Sequence, residues 1–162
     1  MNGSDFIVTR TFDAPREQVY KAWTDPEEIK KWWGPKHFTA PFARIDLREG
    51  GKYLLAMRGP DGKDFWNGGE FRVVTPDRLV WVDSFTDSKG NPVPASTYGL
   101  SKDYPMQTVI TITFVETAGK TNVTISHPMA EGVNYDDEMA GWNESLDKLS
   151  DSLKANSQAA VR

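Results

Sequence analysis

Apolar and polar positions alternate from Phe6 to Phe12, with Phe6, Val8, Arg10 and Phe12 on one side and Ile7, Thr9 and Thr11 on the other. That period of two, in β-branched and aromatic residues, predicts a strand. The period then lengthens. Pro15 suits a first helical position, and Val19, Tyr20 and Trp23 share a face of the turns that follow. Asp25-Pro26-Glu27-Glu28 restarts the helix with a capping pattern, Ile29, Trp32 and Trp33 form its apolar face, and Gly34-Pro35 ends it. Two short helices in tandem are predicted.

From Thr39 to Pro128 the punctuation is that of an antiparallel meander, with turns at Gly50-Gly51, Gly59-Pro60-Asp61-Gly62, Thr75-Pro76-Asp77 and Ala118-Gly119. The strands between them include 53–58, 70–74, 79–86, 108–115 and 121–127, and about seven strands are expected in all. The connection 87–105 is unusually long, which marks either a lid or a disordered segment, with Tyr98, Leu100 and Tyr104 favouring partial packing. A final helix is predicted from about Asn134. Its acidic first turn, Asp136, Asp137 and Glu138, suits the positive end of the helix dipole. Met139, Trp142, Leu146, Leu149 and Leu153 follow at spacings of three and four as one apolar stripe. Gly141 lowers helix propensity there by ~1 kcal/mol, which points to close approach by sheet backbone or by a ligand. Ala155 to Arg162 reads as a frayed end.

A curved sheet gripping one long helix is an architecture that encloses a cavity. Composition narrows what the cavity can do. A length of 162 residues suits a single domain, 1–162, with an ordered core over about 6–154. The net charge of −4 provides no positive field for phosphate backbones or anionic lipid, so neither nucleic acid nor membrane is an expected partner. With no cysteine there is no disulfide, no thiolate nucleophile and no cysteine-ligated metal. No signal-like start and no span of ~20 apolar residues is present, and a cytoplasmic location is expected.

Several motifs together resemble a known family. Phe12-Asp13-Ala14-Pro15 enters the first helix, Trp32-Trp33-Gly34-Pro35 leaves the second, and Asp46-Leu47-Arg48-Glu49-Gly50-Gly51 forms the first hairpin. Arg78-Leu79-Val80-Trp81 starts a middle strand, Asp83-Ser84-Phe85 precedes the long Pro-containing loop, and Gly141-Trp142 with Leu146 and Leu149 lies in the last helix. From about Phe6 to Leu153 the chain resembles the bacterial homologues of the heat-shock protein 90 ATPase activator (AHSA-type), within the START-related helix-grip (SRPBCC) superfamily. The resemblance implies an α+β helix-grip fold: a curved antiparallel sheet wrapped around a long C-terminal helix, with two short helices after the first strand. It also implies a hydrophobic cavity between sheet and helix and a chaperone as a partner. It supplies no catalytic motif, and the fold alone does not define an activity.

The candidate cavity residues are Trp33, His37, Phe38, Met57, Trp66, Phe71, Trp81, Asp83, Phe85, Tyr98, Met106, His127, Met129, Met139 and Trp142. Aromatic and methionine side chains are expected as adaptable walls, and Asp83, Tyr98, His37 or His127 as polar handles that orient a ligand. Strand alternation puts Asp83 on the side of Leu79, Trp81 and Phe85, where burial would favour its neutral form unless a donor or cation such as Arg58 compensates. The two histidines show no metal-ligand spacing, and no metal or cofactor is expected. Ser126 and His127 are adjacent on a strand and point to opposite faces, so they cannot join Asp83 in a serine triad.

The expected function is non-enzymatic binding of a hydrophobic or aromatic small molecule. A protein-interaction module regulating a chaperone ATPase is the alternative, and an acid–base enzyme using Asp83 with a histidine is a third. Ala56 is the position where a larger side chain would fill the cavity if it points inward. Exposed sheet edges make a homodimer the oligomer to expect if one forms.

Overall fold

A computed structural model describes residues 5–161 of the chain, with side-chain detail through Ser157. Met1–Ser4, on which the expectation of no leader segment partly rests, and Arg162 lie outside the described residues. Strand β1 (Asp5–Phe12) leads into two helices, α1 (Arg16–Thr24) and α2 (Pro26–Ile29). There follow β2 (Thr39–Ile45), β3 (Lys52–Arg58), β4 (Asp64–Thr75), β5 (Arg78–Thr86), β6 (Thr108–Thr117), β7 (Lys120–Pro128) and a long helix α3 (Tyr135–Val161). The seven strands form one antiparallel sheet in the order β1-β7-β6-β5-β4-β3-β2.

The helical segment departs from expectation in two details. Pro15 holds an extended conformation (φ −67°, ψ 155°) and precedes α1 instead of opening it. Asp25 does cap α2, its Oδ1 accepting from the Glu27 and Glu28 amides at 2.9 and 3.3 Å, but α2 lasts one turn. Trp32 and Trp33 therefore follow in turns. Trp32 is fully buried against Trp23 and donates from Nε1 to the Ala22 carbonyl at 2.9 Å, so it ties the turn back to α1.

Inward positions of the sheet build the core with α1 and α3. Phe12, Ile112, Phe114, Val123 and Ile125 from the strands join Val19 and Trp23 of α1 and Leu146, Leu149 and Leu153 of α3 in a single buried cluster. The long helix is also pinned by polar contacts at its flanks. Arg10 reaches Asp147 at 2.5 Å and Asn143 at 3.1 Å, and Asn156 donates to Glu28 at 2.6 Å. Where a frayed end was expected, α3 continues through Val161.

The connection 87–105 is neither a free lid nor disordered in this structure. A bridge between Thr86 and Pro92 and a 3-10 turn, Ala95–Tyr98, give it internal order. Tyr98 donates to the Thr86 carbonyl and packs its ring on Phe65 and Phe85, while Tyr104 packs edge-on against Phe85.

One row across the sheet matters for the site. Tyr53 of β3, Gly69 of β4, Asp83 of β5 and Thr108 of β6 are in register. A Cβ at Gly69 would fall 1.6 Å from the Val82 carbonyl oxygen, far inside contact, so only glycine fits. Its bare backbone lets a side chain from β3 pass over β4 to β5.

Candidate functional site

Tyr53 makes that crossing. Its hydroxyl donates to Asp83 Oδ1 at 2.6 Å, and Asn67 Nδ2 donates to the same oxygen at 2.9 Å. Asp83 is thus held by two neutral donors. The ion pair with Arg58 envisaged from sequence does not form, because Arg58 is engaged with Asp64 at 2.7 and 3.0 Å. The Asp83 carboxyl is enclosed by protein except where it faces a cavity, and burial pushes its pKa up to about 6 against the pull of Asn67, Tyr53 and His127. The Tyr53 hydroxyl is raised well above the ordinary phenol range by burial and by the neighbouring Asp83.

The cavity lies between the sheet and the first half of α3 and measures about 400 Å³. That volume is within the usual range for small-molecule sites. Trp33, Phe38, Met57, Trp66, Asp83, Phe85, His127, Met129 and Trp142, all expected, line it. Six other expected residues do not. His37 is exposed on the loop before β2, in a left-handed conformation (φ 71°), outside the cavity lining. Phe71 and Trp81 face inward but pack fully into the core against each other and Tyr53. Tyr98 lies behind Phe65 and Phe85, Met106 is exposed to solvent, and Met139 packs against the core cluster.

Residues missed from sequence add to the wall: Asn67 beside Asp83, Phe65, Leu100 and Tyr104 on the loop side, and Glu138 and Ser145 on α3. Glu138 was visible only as an acidic residue in a helix first turn. Its partner is His127, whose Nε2 lies 3.4 Å from Glu138 Oε1, while Nδ1 lies 2.8 Å from the Pro128 carbonyl oxygen. With an acceptor on each ring nitrogen, the imidazolium is the form that satisfies both. Burial pulls the His127 pKa down, but Glu138, the Pro128 carbonyl and Asp83 outweigh it and leave the histidine above its ordinary value.

Gly141 clarifies its own expectation. A Cβ built there meets nothing within 4 Å, so the glycine does not admit sheet backbone; it faces open cavity. Ala56, by contrast, is buried in register with Phe42 and Trp66 and does not line the cavity, so enlarging it would not fill the space.

The wall formed by residues 34–38 is fastened to α3. Lys148 Nζ donates to the carbonyls of Gly34, Pro35 and Phe38 at 3.0, 3.3 and 2.9 Å, and Glu144 accepts from the Lys36 amide at 3.2 Å. Desolvation lowers the Lys148 pKa. Among the described residues, no group of three His, Asp or Glu side chains is placed to hold a metal, and no helix is long and apolar enough to cross a membrane.

Solved structures share this architecture over most of their length. A protein from Nitrosomonas europaea is 28% identical with a TM-score of 0.76, covering 95% of this chain and 96% of its own. A Mycobacterium smegmatis protein is 27% identical with a TM-score of 0.72, covering 93% and 88%. An AHSA1-like protein from Aeromonas hydrophila, 22% identical with a TM-score of 0.69 over 93% and 94%, shares the fold. No curated protein matches the chain by sequence. The family described as "Activator of Hsp90 ATPase homolog 1-like protein" matches residues 13–154, from the end of β1 well into α3, and the chain belongs to it.

Proposed function

We propose that this protein binds a hydrophobic or aromatic small molecule between its sheet and α3 without transforming it. The observation that carries this reading is a cavity of about 400 Å³ with largely aromatic and methionine walls and one polar wall built around Asp83. Apolar walls favour desolvation of a ligand, and a few convergent polar groups fix its orientation. An acid–base enzyme would need a histidine free to share a ligand with Asp83. His127 already has an acceptor on each nitrogen, and this favours binding over turnover.

Gly141→Phe tests the reading, since it places a ring in the open space that the glycine faces. A thermal-shift panel of aromatic molecules should give a saturable rise for wild type that Gly141→Phe loses, because a ligand that binds only the native state raises its melting temperature. An equal rise in both proteins would place the ligand elsewhere and overturn the proposal. Regulation of a chaperone ATPase, suggested by the family's name, predicts the opposite sensitivity. It maps to the outer surface and would persist in Gly141→Phe.

A further inference from the structure

Charge in the cavity wall is one-sided. Asp83, Asp137 and Glu138 line it together with His127, and no lysine or arginine does. His127 and Glu138 face each other and form a pair that balances itself. Asp83 has no such partner. Both of its protein donors, Tyr53 and Asn67, reach Oδ1, and among the described residues no hydrogen bond reaches Oδ2. Nor is Oδ2 sealed in: the one buried side-chain nitrogen or oxygen without a partner, among those described, is Trp23 Nε1. Oδ2 is therefore an unmatched carboxylate oxygen reached from the cavity. Cations on neighbouring elements are committed elsewhere, Arg58 to Asp64, Arg10 to Asp147 and Lys148 to three carbonyls.

Burial still holds the Asp83 carboxyl above its ordinary range despite two neutral donors. What the site lacks is positive charge, not another neutral donor. Trp33, Trp142 and Phe85 line the same space and present rings, whose faces attract cations. A carboxylate or phosphate ligand would bring a second anion to Asp83 and meet repulsion.

We propose that the cavity selects hydrophobic ligands bearing a basic nitrogen, with the ammonium group on Asp83 Oδ2 and the apolar body against the aromatic walls. The proposal rests on the cavity-binding reading and adds the charge of the ligand. Around Asp83 the titratable groups are Tyr53 from β3, Tyr104 from the loop, His127 from β7, and Asp137 and Glu138 from α3. Falling pH removes the Asp83 charge and keeps His127 cationic, and both changes oppose a bound ammonium.

The test uses three matched probes in calorimetric titrations: 2-naphthylethylamine, 2-naphthaleneethanol and 2-naphthylacetate. The amine should bind wild type at least about tenfold tighter than the alcohol at pH 7.5, with the carboxylate weakest. Asp83→Asn should erase the amine's advantage and bring amine and alcohol to similar affinities, and taking wild type to pH 5 should weaken the amine by about tenfold, one proton's worth per pH unit below the Asp83 pKa. Alcohol or carboxylate binding as tightly as the amine, with Gly141→Phe blocking it, overturns the amine assignment and leaves the cavity reading intact. An amine preference that survives in Asp83→Asn also overturns it. Failure of all three probes to bind overturns both.

Discussion

The two halves of the space between sheet and α3 are made by the same helix and the same strands, yet one is packed and the other is empty. Toward the C-terminal half of α3, Leu146, Leu149 and Leu153 meet Phe12, Phe114, Val123 and Ile125 with no cavity between them. Toward its start, the helix contributes Gly141 and Ser145 and the sheet contributes Asn67, Asp83, Thr108 and His127, and about 400 Å³ stays open. Small and polar residues at inward positions forgo burial that a leucine or phenylalanine would supply. At the open end, small and polar side chains hold inward positions of the kind that the packed half fills with leucine and phenylalanine.

Breaking the packed half should have the largest effect. Leu149→Ala removes a fully buried side chain from the cluster and should destabilise by about 2–5 kcal/mol, read from denaturant midpoints. Asp83→Asn should move the other way. A pKa raised from 3.8 to about 6 corresponds to an ionisation cost of at most roughly 3 kcal/mol. Because the folded-state value is raised, the Asp83 contribution to stability is greatest below pH 4 and declines as pH rises through 6. The variant should therefore melt above wild type at pH 8, and the gap should close as pH falls toward 4. His127, also raised, contributes stability that is lost as pH rises above 6.5, beyond the Asp83 window, and His127→Gln should flatten that upper part of the profile.

Lys148→Met should cost about 1–2 kcal/mol, since it leaves three carbonyls without their shared donor. Gly141→Ala gives the smallest change and sharpens the contrast most. It should stabilise by about 1 kcal/mol through helix propensity, because its methyl group meets nothing. A loss of stability on that substitution would mean that the space is not open.

Alternation in the sequence reveals which side of a strand faces inward, and Asp83 was legible as an inward carboxylate on that basis. It does not reveal which end of the sheet a row belongs to, and so Phe71 and Trp81 looked like cavity walls although they are core. The Tyr53–Asp83 contact depends on register across an intervening strand and on Gly69 being bare, and neither follows from local pattern. His37 and Met106 failed as cavity residues for a different reason. Loop residues carry no periodicity, so chemistry alone suggested them.

Lys148 has a kinetic consequence. Its ammonium ties residues 34–38 to α3, so the wall bearing Gly34, Pro35 and Phe38 can swing only once those three hydrogen bonds release. Leu100, Tyr104 and Pro105 of the connection after β5, and Met129, Ala130 and Val133 ahead of α3, also line the cavity, and these segments outside strands and helices can yield without disturbing the core. In amide exchange the first segment should be better protected than the second. Anything held inside is then expected to leave past the turns before it leaves past residues 34–38.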